Sequence, residues 1–163
     1  MNKEYLHNFA CWAAARSVQN PNIKGTDTKT IKNAIELLDL FSFVENPERL
    51  SDYPIIHDKL VVGLLNKINW VDQENRYGVA AKIIAIYFKV SIILPSKAPN
   101  KIINNIYPPM DANNIHRLKG FKKSTWTKMG KTEFSNIIEG LNDYILQNKM
   151  TYIEFESKNP LNR

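Results

Sequence analysis

The sequence predicts an all-α fold: a single compact domain of six or seven helices over residues 1–163. Three observations carry this reading. Apolar residues recur at three- and four-residue spacing in every long segment. Proline, glycine and asparagine punctuate those segments, as helix ends require. No set of alternating segments is large enough for a sheet.

The first helix is expected over Lys3 to Gln19, with Tyr5, Phe9, Trp12, Ala13 and Val18 at helical spacing. Asn20-Pro21-Asn22 stops it. Thr28 or Thr30 is expected to cap a second helix through Leu40, with Ile31, Ala34, Ile35 and Leu38 on one face. Asn46-Pro47 marks a loop. Pro54 opens a third helix, Ile55 to Ile68, capped by Ser51 or Asp52. After the polar turn Asp72–Arg76, a fourth helix runs from Gly78 to Leu94, where Pro95 ends it. Residues 96–109 read as a loop. Asp111 and Asn113 start a short helix ending near Gly120. Thr132 to Asn148 is the last long helix, with Phe134, Ile137, Ile138, Leu141, Tyr144 and Ile145 inward. The alternating tail, TYIEFE, reads as a short strand or extended arm.

The longest apolar run, Val79 to Leu94, is broken by Lys82 and Lys89 and falls short of the ~18 to 20 residues a membrane span needs. No membrane partner is expected. The single cysteine, Cys11, excludes an internal disulfide and fits a cytoplasmic location. Three histidines and that one cysteine argue against a structural zinc site, and nothing in the chain calls for a cofactor.

The net charge is +6 and it is localised. Between Asp111 and Glu133 there is no acid, while Arg117, Lys119, Lys122, Lys123, Lys128 and Lys131 all fall there. The rest of the chain carries 16 basic and 16 acidic residues. Such a patch suits a phosphate backbone, so DNA or another polyanion is an expected partner. A solvated lysine-rich face is the plainer alternative. Trp126, within KKSTWTK, is the best-placed ring for stacking on a base. Trp12, Trp70, Tyr87 and Phe88 are further pocket candidates, and core packing is the default for all five rings. His7 and His116 read as surface or hydrogen-bonded residues, and Cys11 as a buried, inert thiol.

Lys82 and Lys89 lie seven residues apart on the stripe 82, 85, 86, 89 of an otherwise apolar helix. An amine near the N-terminal end of a buried helix is disfavoured as a cation by burial and by the helix dipole, which makes a free amine more available. That is what a nucleophilic lysine needs. The alternative is that both side chains reach along the surface to water. Downstream, Tyr107-Pro108-Pro109-Met110-Asp111 places an acid after a rigid proline pair. Asp111 reads either as a helix N-cap or as a carboxylate facing a cleft with the central helix.

Gly78-Val79-Ala80-Ala81-Lys82, followed by Pro109-Met110-Asp111 and His116-Arg117-Leu118, resembles the helix-hairpin-helix DNA glycosylases. In that superfamily a Gly-Val-Gly-x-Lys hairpin opens a helix and a Pro-Val-Asp follows. The gap of 29 residues between Lys82 and Asp111 and the second lysine look most like the archaeal 8-oxoguanine glycosylase branch. The resemblance covers about 40 of 163 residues, and Ala80 stands where the hairpin has its second glycine. It implies a helix-hairpin-helix-like element and base excision on DNA, with abasic-site lyase activity as an extension. Lys82 would be the nucleophile and Asp111 the assisting carboxylate. Gly78, Val79 and Ala80 would offer backbone N–H groups to a phosphate. Arg117, Lys119, Lys122 and Lys123 would add phosphate contacts, and Trp126 would stack. The competing expectations are a non-enzymatic nucleic-acid-binding protein and a protein-interaction module, for example a regulator or a phage-defence component.

Overall fold

A computed structural model describes residues 2–19, 23, 25–68, 70 and 72–158. The chain is all helical there, with no strand among the described residues. Nine α-helices follow in order: α1 Lys3–Val18, α2 Thr28–Leu37, α3 Phe41–Glu45, α4 Tyr53–Ile68, α5 Tyr77–Phe88, α6 Asn100–Ile103, α7 Ala112–Ile115, α8 Lys131–Asn148 and α9 Tyr152–Ser157. The stop Asn20-Pro21-Asn22 lies outside the described residues.

Helix α5 is the axis of the fold. Ten of its residues are buried, and only Lys82 and Ile86 stand out from that pattern. A helix apolar on all sides must be covered on all sides. Accordingly α1, α4, α8 and the short turn Trp126–Lys128 all pack on it. Beyond Phe88 it widens into a π turn, Lys89–Ile93, where the Leu94 N–H reaches the Lys89 carbonyl at 2.9 Å. The Ser91 hydroxyl donates to the Tyr87 carbonyl at 2.7 Å, which accompanies the widening. The core around α5 is one continuous cluster, from Ala10 on α1 to Phe155 on α9.

Three expectations from the sequence are corrected. The helix count exceeds six or seven because α3, α6 and α9 are short segments that carry little periodicity of their own. The tail is not a strand or an extended arm. It is α9, started by a reciprocal capping box in which Thr151 and Glu154 satisfy each other's backbone N–H groups. And α1 turns its large aromatics outward. Tyr5, Phe9 and Trp12 are exposed and stack on one another, while Leu6, Ala10, Cys11, Ala14, Ala15 and Val18 face the core. Small alanines let α1 approach α5 closely, and that face wins over the bulkier one.

Caps elsewhere follow elementary chemistry. Asp27, one residue before the expected threonine, caps α2 by accepting from the Thr30 N–H at 2.9 Å and the Thr30 hydroxyl at 2.7 Å. Gly78, Val79 and Ala80 all lie within the first turn of α5. The segment between α4 and α5 contains the 3-10 turn Gln73–Asn75.

Candidate functional site

Lys82 projects from α5 between the buried residues Ala81 and Ile83, and is itself half-buried. Its amine lies over the Trp126 ring, 4.2 Å from the centroid. Burial lowers its pKa from the ordinary lysine value, and the negative charge of Asp111 works against that shift. The two side chains are therefore electrostatic neighbours. They do not form an ion pair within 4.0 Å.

Asp111 is held by the chain around it. Its carboxylate accepts from the Asn114 N–H at 3.1 Å and caps α7. Its own N–H donates to the Pro109 carbonyl at 3.1 Å, and the Asn114 side-chain amide donates to the same carbonyl at 2.8 Å. The N-cap reading of this residue is the one the structure shows, and its charge is also felt at the central lysine.

The basic segment divides in two. Lys119, Lys122, Lys123 and Lys128 are exposed and have no ion-pair partner among the described residues. Arg117 and Lys131 are engaged within the protein, Arg117 half-buried and Lys131 at the surface. Arg117 donates to the Phe155 carbonyl and lies over the Phe155 ring at 4.1 Å, which fastens α9. Lys131 pairs with Asp58 at 2.8 Å. Arg117 is consequently a structural tether rather than an exposed phosphate contact.

Gly78 has a close-packing role. A Cβ there would meet the Trp126 carbonyl oxygen at 2.5 Å and the Met129 Cβ at 2.8 Å. Its N–H donates to the Met129 carbonyl at 3.0 Å. That donor is engaged within the protein and is not offered to a phosphate. Val79 and Ala80 are fully buried, and the Ala80 N–H closes a regular helical bond to Arg76. The covering turn is also anchored by the Arg76 guanidinium, which donates to the Thr127 carbonyl. One compact unit results: the start of α5, the Trp126–Met129 turn laid over it, and the Lys82 amine against that turn's ring.

No family model matches the chain, and no curated protein or solved structure matches it.

The second lysine of the stripe has a separate explanation. Lys89 forms a half-buried ion pair with Glu156 on α9. The remaining candidates sort by burial. Tyr87, Phe88 and Trp70 are core residues, whereas Trp12 is on the surface. His7 hydrogen-bonds the Tyr87 hydroxyl at 2.9 Å, and burial lowers its pKa. His116 is exposed, with Nε2 3.3 Å from the Ser124 carbonyl. Cys11 is fully buried, and burial pushes its thiol up to about 12, so it is inert at neutral pH. The partnership of Lys82 with Trp126 has no sequence signal, because 44 residues separate them and no periodicity connects them.

Proposed function

We propose that this chain acts on DNA as a base-excision glycosylase, with abasic-site lyase activity as the extension of the same chemistry. One observation carries the reading: a half-buried amine of lowered pKa, Lys82, lies under the electrostatic influence of a fixed carboxylate, Asp111. The four exposed, unpaired lysines of the neighbouring loop supply a surface for the phosphate backbone.

The chemistry runs as follows. The target nucleotide leaves the stack. The Lys82 amine, in its uncharged form, attacks C1′ of the sugar as the bond to the base breaks and the base departs with the electron pair. The Asp111 carboxylate stabilises the positive charge growing on the sugar and assists removal of the amine proton. Ring opening leaves a Schiff base on Lys82, from which β-elimination cleaves the strand. Trp126 has to yield the Lys82 amine for this to happen, so the ring acts as a cover over the nucleophile.

Borohydride trapping tests the proposal. Duplexes bearing damaged bases or abasic sites are incubated with the protein, and a covalent adduct is expected that Lys82→Ala abolishes and Asp111→Asn weakens. No adduct on any duplex, or an adduct that survives Lys82→Ala, rejects it.

A second reading is a non-enzymatic DNA-binding protein. It is favoured by the engagement of the Gly78 N–H with Met129 and by the covered Lys82 amine. Such a protein shifts DNA with strong salt dependence and traps nothing.

A further inference from the structure

A cleft of about 480 Å³ opens beside the first turns of α4 and α8, and neither Lys82 nor Asp111 lines it. Tyr77, Tyr107 and Phe134 give its lining three aromatic rings, beside the aliphatic Pro54, Ile55 and Ile138. His57 lines its floor and is only 2% exposed. The His57 ring stacks on Phe134, with centroids 5.3 Å apart and planes 12° apart, and meets Tyr107 edge-on at 5.2 Å. Burial lowers its pKa to about 3, so the ring is neutral. Its Nε2 is buried with no hydrogen-bond partner, and the same holds for the hydroxyl of Tyr53, whose ring lies 5.5 Å away. Buried polar atoms are nearly always paired with protein, water or ligand. Of these two residues only His57 lines the cleft, so one unpaired buried nitrogen stands beside an opening that can receive a polar group.

The charges around the opening narrow the ligand. Asp58 is already satisfied, accepting from the Tyr77 hydroxyl at 2.9 Å and from the Lys131 amine. Lys59 is exposed and has no ion-pair partner among the described residues. The rim therefore carries an uncompensated positive charge, which repels an amine and attracts an anion. The aromatic rings of the lining favour a flat ring over an aliphatic chain. The volume is in the ordinary range for small-molecule sites.

We infer that this cleft binds a planar nitrogen heterocycle carrying an anionic group, as a nucleoside monophosphate does. The ring lies against Tyr107 and Tyr77, its polar edge satisfies the His57 nitrogen directly or through one water, and its phosphate meets Lys59 at the rim. The site does not depend on Lys82 or on the glycosylase reading.

Calorimetric titration of the full chain with the four ribonucleoside monophosphates, with adenosine and with inorganic phosphate tests this. At least one monophosphate is expected to saturate a single site, with adenosine and phosphate each binding at least about fivefold more weakly. Lys59→Ala, an exposed position, is expected to weaken the monophosphate about fivefold with an unchanged thermal melt. Tyr107→Leu is expected to weaken it further, its fold checked by circular dichroism. Lys82→Ala is expected to bind normally, which separates this site from the proposed catalytic one. The inference is overturned if no monophosphate saturates, if inorganic phosphate binds as tightly as the nucleotide, or if folded Lys59→Ala binds unchanged.

Discussion

The Lys82 ammonium is covered by a ring and not by a counter-ion: its nitrogen lies 4.2 Å from the Trp126 centroid, while the Asp111 carboxylate acts from beyond ion-pair distance. A ring compensates a desolvated charge only partly, which is why burial dominates the lysine's shift. Trp126→Leu should remove ~0.5–2 kcal/mol of cation–π attraction, but also admit water to the amine. The expected net result is a Lys82 pKa returned towards the ordinary value. NMR titration of the reductively methylated protein measures it. A Lys82 resonance that titrates lower still in the variant would contradict the account.

Lys82 also makes a signed contribution to stability against pH. Its folded pKa lies below the unfolded value of ~10.4, so between the two the unfolded chain binds more protons. The penalty of burying the cation is complete below the folded pKa and disappears as pH rises through that window. Wild type should therefore gain stability relative to Lys82→Met on going from pH 8 to pH 10.5. Urea denaturation of both proteins at the two pH values shows the sign.

His57 predicts the opposite end of the scale. Its folded pKa of about 3 lies below the unfolded ~6.5, so acid favours the unfolded chain, which takes up the proton first. Stability held above pH ~6.5 is lost as pH falls towards 3. His57→Phe removes both this dependence and the unpaired buried nitrogen. Its Tm advantage over wild type should be larger at pH 5 than at pH 8, as scanning calorimetry can establish.

Gly78→Ala places a methyl against backbone and should cost about 2–4 kcal/mol, visible as a fall in Tm. The clash at 2.5 Å is with a carbonyl oxygen of the Trp126 turn, which cannot rotate aside as a side-chain tip can. An unchanged melt would mean that the turn over α5 moves freely.

Within the basic segment, stability and the proposed DNA affinity should separate by residue. Arg117→Ala should cost about 1–2 kcal/mol and increase hydrogen exchange in α9, because it removes the contacts to Phe155. Lys122→Ala with Lys123→Ala should stay within about 0.5 kcal/mol per substitution. The same pair should weaken DNA binding and flatten its salt dependence. Denaturation and gel-shift series on the two variants compare these effects.

The parts of the fold legible in the sequence are those set by local chemistry. Helix α5 announces itself because a run apolar on every side has to be central, and α8 shows the usual buried stripe of Phe134, Ile137, Ile138 and Leu141. Asp111 reads as a cap because it follows two prolines. What was illegible depended on size and on distance along the chain. Half of the buried residues of α1 are alanines, which carry little hydrophobic signal but permit close packing, so the exposed aromatics form the stronger apolar pattern. Helix α9 was hidden by the alternation of TYIEFE, although Thr151 and Glu154 stood at capping-box spacing. The cover over Lys82, and the cluster that leaves His57 unpaired, join residues that no local pattern relates.

The ion pair between Lys89 and Glu156 has a consequence in time as well as in space. The two residues are 67 positions apart, so on the ribosome the amine is made long before its partner. Until α9 arrives, Lys89 and Lys82 are the only charges within the most apolar stretch of the chain, and their hydration interrupts a segment that would otherwise favour association with other exposed apolar surface. Lys89 thus interrupts an association-prone segment during synthesis and afterwards, paired with Glu156, fastens the last described helix.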